Sequence, residues 1–263
     1  MFKAVFLFSC VFLTACSSEQ KKKEKLKSRC RTERILISKL DEKESETDRC
    51  TIDVNLEYCY PGESNYSATV NDLIRKELVR AGKLFTENIH TPNELNSKEV
   101  NHWMQALDVE KAKQQTTGAT DTWWLVLKSK VDCRESAFIQ LVIEKEYKKE
   151  SQYINKEKYC FVVDRTTGKQ LKPADIFVDI QQLNNTGESF FRIQQGIPKK
   201  ENLADKYWFE KGVFYCPDNF FYDKDGISFI YQPYEIAPLS SGIIQFTIPY
   251  KVLRDNLLIQ KEH

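Results

Sequence analysis

A chain of 263 residues with 41% hydrophobic and 29% charged side chains is long enough to bury one good-sized core, or two small ones packed together. Its formal charge is +1; once Lys3 near the N-terminus is set aside, 38 basic residues (39 less Lys3) face 38 acidic ones. Bulk electrostatics therefore give no reason to expect a nucleic-acid partner.

The first sixteen residues are a different material from the rest. Lys3 supplies a short positive start, Ala4 to Leu13 is an apolar run too short to span a bilayer comfortably, and Leu13-Thr14-Ala15-Cys16 follows at once. This tetrapeptide resembles a bacterial lipobox. The resemblance implies cleavage before Cys16, a diacylglycerol on its thiol and a mature protein anchored to the membrane by acyl chains. It is preferred to an ordinary leader or an uncleaved anchor because small residues and a cysteine come directly after the apolar run. Residues 17–29 (SSEQKKKEKLKSR) contain almost nothing that could pack and are read as a solvated tether. Surface-directed lipoproteins of Bacteroidota-type hosts tend to carry acidic residues after the lipidated cysteine. This tether is basic, so a periplasm-facing outer-membrane address is expected.

The globular part begins near Cys30. Ile35 and Ile37 mark a short strand, and residues 51–60 alternate strictly, with Ile52, Val54, Leu56, Tyr58 and Tyr60 on one side. The two make an antiparallel hairpin, expected to turn near residues 43–45, and Pro61-Gly62 ends it. Ser67 is the expected N-cap of a helix whose stripe is Val70, Leu73, Ile74, Glu77 and Leu78. A second helix is read over 97–114, with Asn96 and Glu99 as a capping pair and Val100, Trp103, Met104 and Leu107 inside. Both helices should lie on one face of a sheet.

Strand patterns follow at 123–130, 137–147 and 158–164 and are expected to form an antiparallel meander. The middle one should be central, because Ile139, Leu141 and Ile143 line one face and Phe138 and Val142 the other. Residues 164–168 (DRTTG) make a turn, Lys172-Pro173-Ala174-Asp175 starts a short helix ending near Phe177, and a further helix runs through 188–195. Residues 198–217 give no readable pattern. Beyond them lie two strands, one with Ile227, Phe229 and Tyr231 on a face and one with Ile244, Phe246 and Ile248, joined by the proline-bracketed loop 233–238 (PYEIAP). Strands interrupted by segregated helices are the pattern of an α+β fold. An antiparallel sheet of about six to eight strands with helices packed on one face is expected. The parts are a leader (1–16), a tether (17–29), an N-terminal α+β part (30–177) and a C-terminal part (178–263) packed with it as one unit.

The C-terminal stretch carries a family resemblance. Tyr231, the run Pro233 to Pro238, Gly242 and Ile248-Pro249-Tyr250, preceded by Phe220 and Gly226, resemble the C-terminal domain of unknown function shared by RsiV-type lysozyme-sensing anti-sigma factors and some peptidoglycan deacetylases. Residues 161–177 look like the linking part of that family, and 51–85 like its N-terminal companion. The resemblance implies an extracytoplasmic module that binds or senses at the cell wall; in the sensing members the target is lysozyme. Leu239 departs from the pattern. No anti-sigma segment or membrane span is read ahead of the module, so signalling through a sigma factor is not expected.

Six cysteines follow Cys16, namely Cys30, Cys50, Cys59, Cys133, Cys160 and Cys216, and an even count in an exported chain makes disulfides the default. A hairpin turning near 43–45 would set Cys30 opposite Cys59, the pairing expected first. No C-x-x-C pair is present and the only histidines are His90, His102 and His263, so neither a zinc site nor any other metal site or cofactor is expected. His102 is read as a surface or partly buried side chain and not as a ligand. Asp223 and Asp225 before Gly226 are read as a hairpin turn in preference to a calcium loop. Glu235 stands inside an apolar segment and must face water, find donors or hold a raised pKa. Its expected role is to accept backbone N–H groups and fix the bend; acid chemistry in a glycan-modifying hydrolase is the alternative, and no catalytic residue is assigned. Trp208 and Tyr234, beside irregular backbone, are with Glu235 the candidate ligand-binding residues. The expected protein is a lipid-anchored envelope module, more a binder of peptidoglycan or of a lysozyme-type protein than an enzyme, with a purely structural lipoprotein as the remaining alternative.

Overall fold

The computed structural model describes residues 31–40, 51–62, 64–116, 124–135, 137–148 and 153–258. The leader, Cys16, the tether, Cys30, Cys50, the turn expected at 43–45 and His263 lie outside them. The chain is α+β. Strands β1 (Thr32–Leu40) and β2 (Thr51–Cys59) pair antiparallel, and helices α1 (Asn65–Lys83) and α2 (Ser97–Thr116) carry the chain over to β3 (Trp124–Asp132). A helical crossover delivers the next strand in the same direction, so β2 and β3 run parallel, a pairing the expected all-antiparallel sheet did not contain. Strands β4 (Phe138–Lys148), β5 (Asn155–Asp164) and the short β6 (Gln170–Leu171) then follow as the antiparallel meander, giving the order β1-β2-β3-β4-β5-β6.

The alternation in β2 buries Ile52, Val54, Leu56 and Tyr58 against the helices, and Leu125, Leu127, Ile139, Leu141 and Ile143 extend the same core. Helix α1 begins one turn before the expected Ser67. Ser64 is its N-cap, and Ser67, three positions in, accepts the Ser64 N–H through its hydroxyl at 3.1 Å. Its stripe contributes Val70, Ile74 and Leu78, while α2 contributes Val100, Trp103, Met104 and Leu107, all fully buried.

A second core lies beyond β4 and β5. Helices α3 (Pro173–Ile176) and α4 (Ile180–Gln194) lead into 3-10 turns at Leu203–Asp205 and Glu210–Gly212. The chain then forms a separate three-stranded antiparallel sheet of β7 (Phe220–Tyr222), β8 (Gly226–Tyr231) and β9 (Ile244–Pro249) before the last short helix α5 (Tyr250–Leu253). Phe138 and Val162 from the large sheet belong to this second core, so β4 and β5 are apolar on both faces. The centre strand β8 is buried along its whole length, whereas β9 keeps the expected alternation, with Gln245 exposed between Ile244 and Phe246. Phe191 of α4 sits in the middle, its ring meeting those of Tyr207, Phe209, Phe214, Tyr231 and Phe246 with centroids 5.0–5.9 Å away.

Side-chain amides satisfy the exposed strand edges. The β5 edge left uncovered by the short β6 is closed by Asn219, whose Oδ1 accepts the Cys160 N–H at 2.7 Å and whose Nδ2 donates to the Lys158 carbonyl at 2.9 Å. Gln232 takes both the N–H and the carbonyl of Lys158. Gln140 does the same for Tyr222, Gln194 for Thr247 and Asn256 for Asp179. A primary amide presents a donor and an acceptor side by side, as a neighbouring strand does, so Asn219, Gln232, Gln140 and Gln194 replace ladder partners at a cost of one ordered side chain each, and Asn256 holds the N-cap residue of α4 in the same way.

The cysteines depart from expectation. The β1–β2 register sets Thr32, not Cys30, opposite Cys59, and Cys59 is buried in the first core. Cys160 and Cys216 are free thiols; Cys160 faces Val142 across the ladder, and Cys216 packs beside Gly187 of α4. Cys133 is disulfide-bonded.

Candidate functional site

Residues 198–217 and 232–238, the parts with no regular periodicity, together make the most distinctive surface. The Gln232–Glu235 turn is closed twice: the Glu235 N–H donates to the Gln232 carbonyl at 3.1 Å, and the Gln232 N–H donates to Glu235 Oε2 at 2.8 Å. Closing it this tightly puts Tyr234 at φ 70°, a left-handed conformation that costs a non-glycine residue about 1–2 kcal/mol. The result is a tyrosine held away from the protein, 70% exposed. Ile236 and Ala237 anchor the next step of the segment in the core.

The neighbouring backbone is pinned to this turn. The Trp208 N–H donates to the Ile236 carbonyl at 2.8 Å, and the adjacent Phe209 is buried, which leaves Trp208 pointing outward and half exposed. The Trp208 and Tyr234 rings meet edge to face, centroids 5.2 Å apart at 80°. Tyr215 completes the patch, donating its hydroxyl to Glu235 Oε1 at 2.9 Å while its ring packs against Phe209 and Tyr231. Beneath it the Tyr231 hydroxyl donates to the Tyr215 carbonyl. The Tyr215 hydroxyl is pushed above its ordinary value by burial and then by the Glu235 charge and hydrogen bond, so it stays a donor at any pH the cell meets.

All three candidate binding residues of the sequence, Trp208, Tyr234 and Glu235, therefore fall in one patch. Glu235 has the bend-fixing role expected of it. Both its oxygens already accept hydrogen bonds, one from a backbone N–H and one from a phenol, so it is arranged as a fixed acceptor. Tyr215 and Gln232 are not among the residues the sequence marks, and Tyr231 is marked only as a strand and family position, not as part of a site. Their signal was available only as aromatics and an amide flanking the proline-bracketed loop, and contact between positions 215 and 235 has no local periodicity to announce it.

Other chemistry-bearing groups lie elsewhere. Burial pushes the Cys160 thiol up to about 12 and the Cys216 thiol higher still, which leaves both inert as nucleophiles. His90 and His102 stack with centroids 4.3 Å apart, and His90 Nε2 is 3.1 Å from Glu99 Oε2; His102 is at the surface while its neighbour Trp103 is wholly buried. Among the described residues no group of three or more His, Cys, Asp or Glu is placed to hold a metal ion. The Asp223–Gly226 segment is the β7–β8 turn, closed by the Asp223 N–H on the Gly226 carbonyl.

Comparison with known proteins agrees with this architecture. Residues 136–251, which contain the whole patch, match the family described as protein of unknown function (DUF3298). The fold is similar to a crystal structure of a DUF3298 family member from Bacteroides fragilis NCTC 9343, with a TM-score of 0.64 and 18% identity over 87% of this chain and 93% of that one. It is also similar to a DUF3298 family protein from Pseudomonas aeruginosa PAO1, with a TM-score of 0.58 and 14% identity over 88% and 96% of the two chains. A comparison with curated proteins gives no match.

Proposed function

We propose that this protein is a lipid-anchored envelope module, held through Cys16, whose C-terminal patch binds cell-wall glycan without catalysis. The observation that carries the reading is the Trp208–Tyr234 pair: two large aromatic faces, exposed and fixed by backbone bonds, beside a carboxylate acceptor. Aromatic faces stack on the apolar C–H faces of sugar rings, and a fixed carboxylate takes sugar hydroxyls; both are set in place before a ligand arrives, which lowers the ordering cost of binding. The hydrolase reading has less support, because an acid catalyst needs a proton and a partner nucleophile or base, and Glu235 accepts bonds at both oxygens.

The test is sedimentation of the purified protein with insoluble peptidoglycan, with a lysozyme pull-down beside it. Retention on peptidoglycan that is lost in Trp208→Ala supports the reading. Retention on lysozyme alone moves the target to a wall-acting protein, and retention on neither removes the proposal. Incorporation of labelled palmitate that disappears in Cys16→Ser tests the anchor.

A further inference from the structure

The face of the six-stranded sheet turned away from α1 and α2 carries a cleft of about 400 Å³ in which Arg34 of β1, Lys128 and Lys130 of β3 and Lys158 of β5 converge. Register explains the convergence. Asn55, Lys128, Glu144 and Lys158 are successive cross-strand partners and form one row, while Arg34 lies opposite Glu57 in the next. Lys158 has a partner, its Nζ lying 3.9 Å from Glu144 Oε1 and 5.0 Å from the Phe221 ring. Glu57 is likewise engaged, accepting from the Thr32 hydroxyl at 3.0 Å and the Val131 N–H at 3.3 Å. Among the described residues Arg34, Lys128 and Lys130 make no ion pair, and all three are exposed. Three cations without counter-ions on one short stretch of sheet repel one another, and an anion seated between them removes that cost.

We propose that this cleft is a carboxylate-binding subsite for a short acidic peptide, the peptide part of a wall fragment whose sugar rests on the aromatic patch. Two observations select a peptide over a dense polyanion. Sheet spacing puts Lys128 and Lys130 about 7 Å apart and Arg34 about 10 Å from the β3 pair, which suits separate carboxylates along a chain better than one phosphate group. Glu57 and Glu144 stand between the cations; they would repel a nucleic acid or an anionic lipid surface but can take a peptide amine. The cleft also adjoins the patch. Its β5 end is Lys158, whose backbone N–H and carbonyl are both held by Gln232, two residues ahead of Tyr234.

The identity of the peptide rests on the glycan reading, so the experiment uses ligands that separate the two. Calorimetric titration is run with a sugar-free acidic wall stem peptide, the same peptide with its carboxylates amidated, and the peptide-free disaccharide. The acidic peptide is expected to bind the full-length protein, to weaken about tenfold or more in the Lys128→Gln/Lys130→Gln double variant, and to weaken as much on amidation. Both lysines are exposed and repel each other, so the melting temperature of the variant should be no lower than that of the parent. Equal binding of acidic and amidated peptides, undiminished binding by the double variant, or no binding of the acidic peptide to the parent each overturns the cleft proposal. Disaccharide binding that depends on Trp208 but not on the lysines leaves the aromatic patch standing alone. Peptide binding without disaccharide binding leaves the cleft and removes the glycan reading.

Discussion

In the N-terminal region β3, β4 and β5 share antiparallel ladders of nine and ten residue pairs, and two long helices cover one face; in the C-terminal region the strands are three to six residues long and the connections are 3-10 turns and extended chain. The first region is held by backbone ladders and aliphatic stripes. The second has too few ladder bonds for that, and relies on an aromatic cluster centred on Phe191 and on side-chain amides that stand in for missing strands. Long ladders fix side chains in a regular array, which suits an open face like that of the cationic cleft. Aromatic clusters and amide caps hold irregular backbone rigid, and so can support a residue such as Tyr234 in a conformation a ladder would not allow.

The contrast can be broken most severely at Phe191. Phe191→Ala removes the ring that five others touch and should cost about 3–5 kcal/mol, read by urea denaturation. Amide exchange should rise first in β7–β9 and the 198–217 segment while β2–β4 stay protected. Equal loss of protection everywhere would mean the two regions fold as one cooperative unit and are not held separately.

A smaller effect is expected at the amide caps. Gln232→Ala strands the Lys158 N–H and leaves its carbonyl to Asn219 alone, at an expected cost of about 1–3 kcal/mol. Gln232→Glu keeps the acceptor but loses the donor, and should fall between parent and alanine variant. If the alanine variant is as stable as the parent, solvent satisfies that edge as well as the side chain does.

Glu77 is a polar weak point of the N-terminal core. Glu77 of α1 is 2% exposed; Arg80 bonds one of its oxygens, the other has no partner, and Lys145, itself paired with Glu157 at 2.7 Å, lies near. Burial, the largest influence, raises its pKa despite the opposing pull of Arg80 and Lys145. A carboxyl whose folded pKa exceeds its unfolded value holds a proton that the unfolded chain has released. Its contribution to stability is fully present below the ordinary value of 4.5 and is lost as pH rises through the raised one. Glu77→Gln should therefore gain on the parent as pH rises from about 4 to 7, measured by denaturation across that range. A constant difference between the two would show that Glu77 does not titrate in this window.

At the small end, Tyr234→Gly should change stability by less than about 1 kcal/mol, because relief of the left-handed backbone offsets the added chain entropy of glycine.

Legibility in the sequence followed the same division. β2, β4 and β9 announce themselves because one face or both are regularly apolar, and α2 because Val100, Trp103, Met104 and Leu107 repeat at helical spacing. The parallel β2–β3 pairing is set by the helical crossover, which no local pattern records. Helix α4 begins at Ile180, well before the expected 188, because its first turns carry glutamines and asparagines whose work is tertiary, as Asn184 shows in accepting the Cys216 N–H at 2.8 Å. The expected placement of Cys30 opposite Cys59 gives way to a register with Thr32 there, which no local pattern records. Of the site, Trp208, Tyr234 and Glu235 were legible because a proline-bracketed segment must bend and an outward aromatic beside a bend stands out. Tyr215 and the unpaired cations Arg34, Lys128 and Lys130 were not, since their significance lies in which strands become neighbours.

In the proposed function the C-terminal region holds the Trp208–Tyr234 pair toward a wall ligand. The most direct measurement is the peptidoglycan affinity of Trp208→Ala/Tyr234→Ala alongside its melting temperature. Affinity should be at least about tenfold weaker with a melting temperature within about 2 °C of the parent. Undiminished affinity at unchanged stability would contradict it.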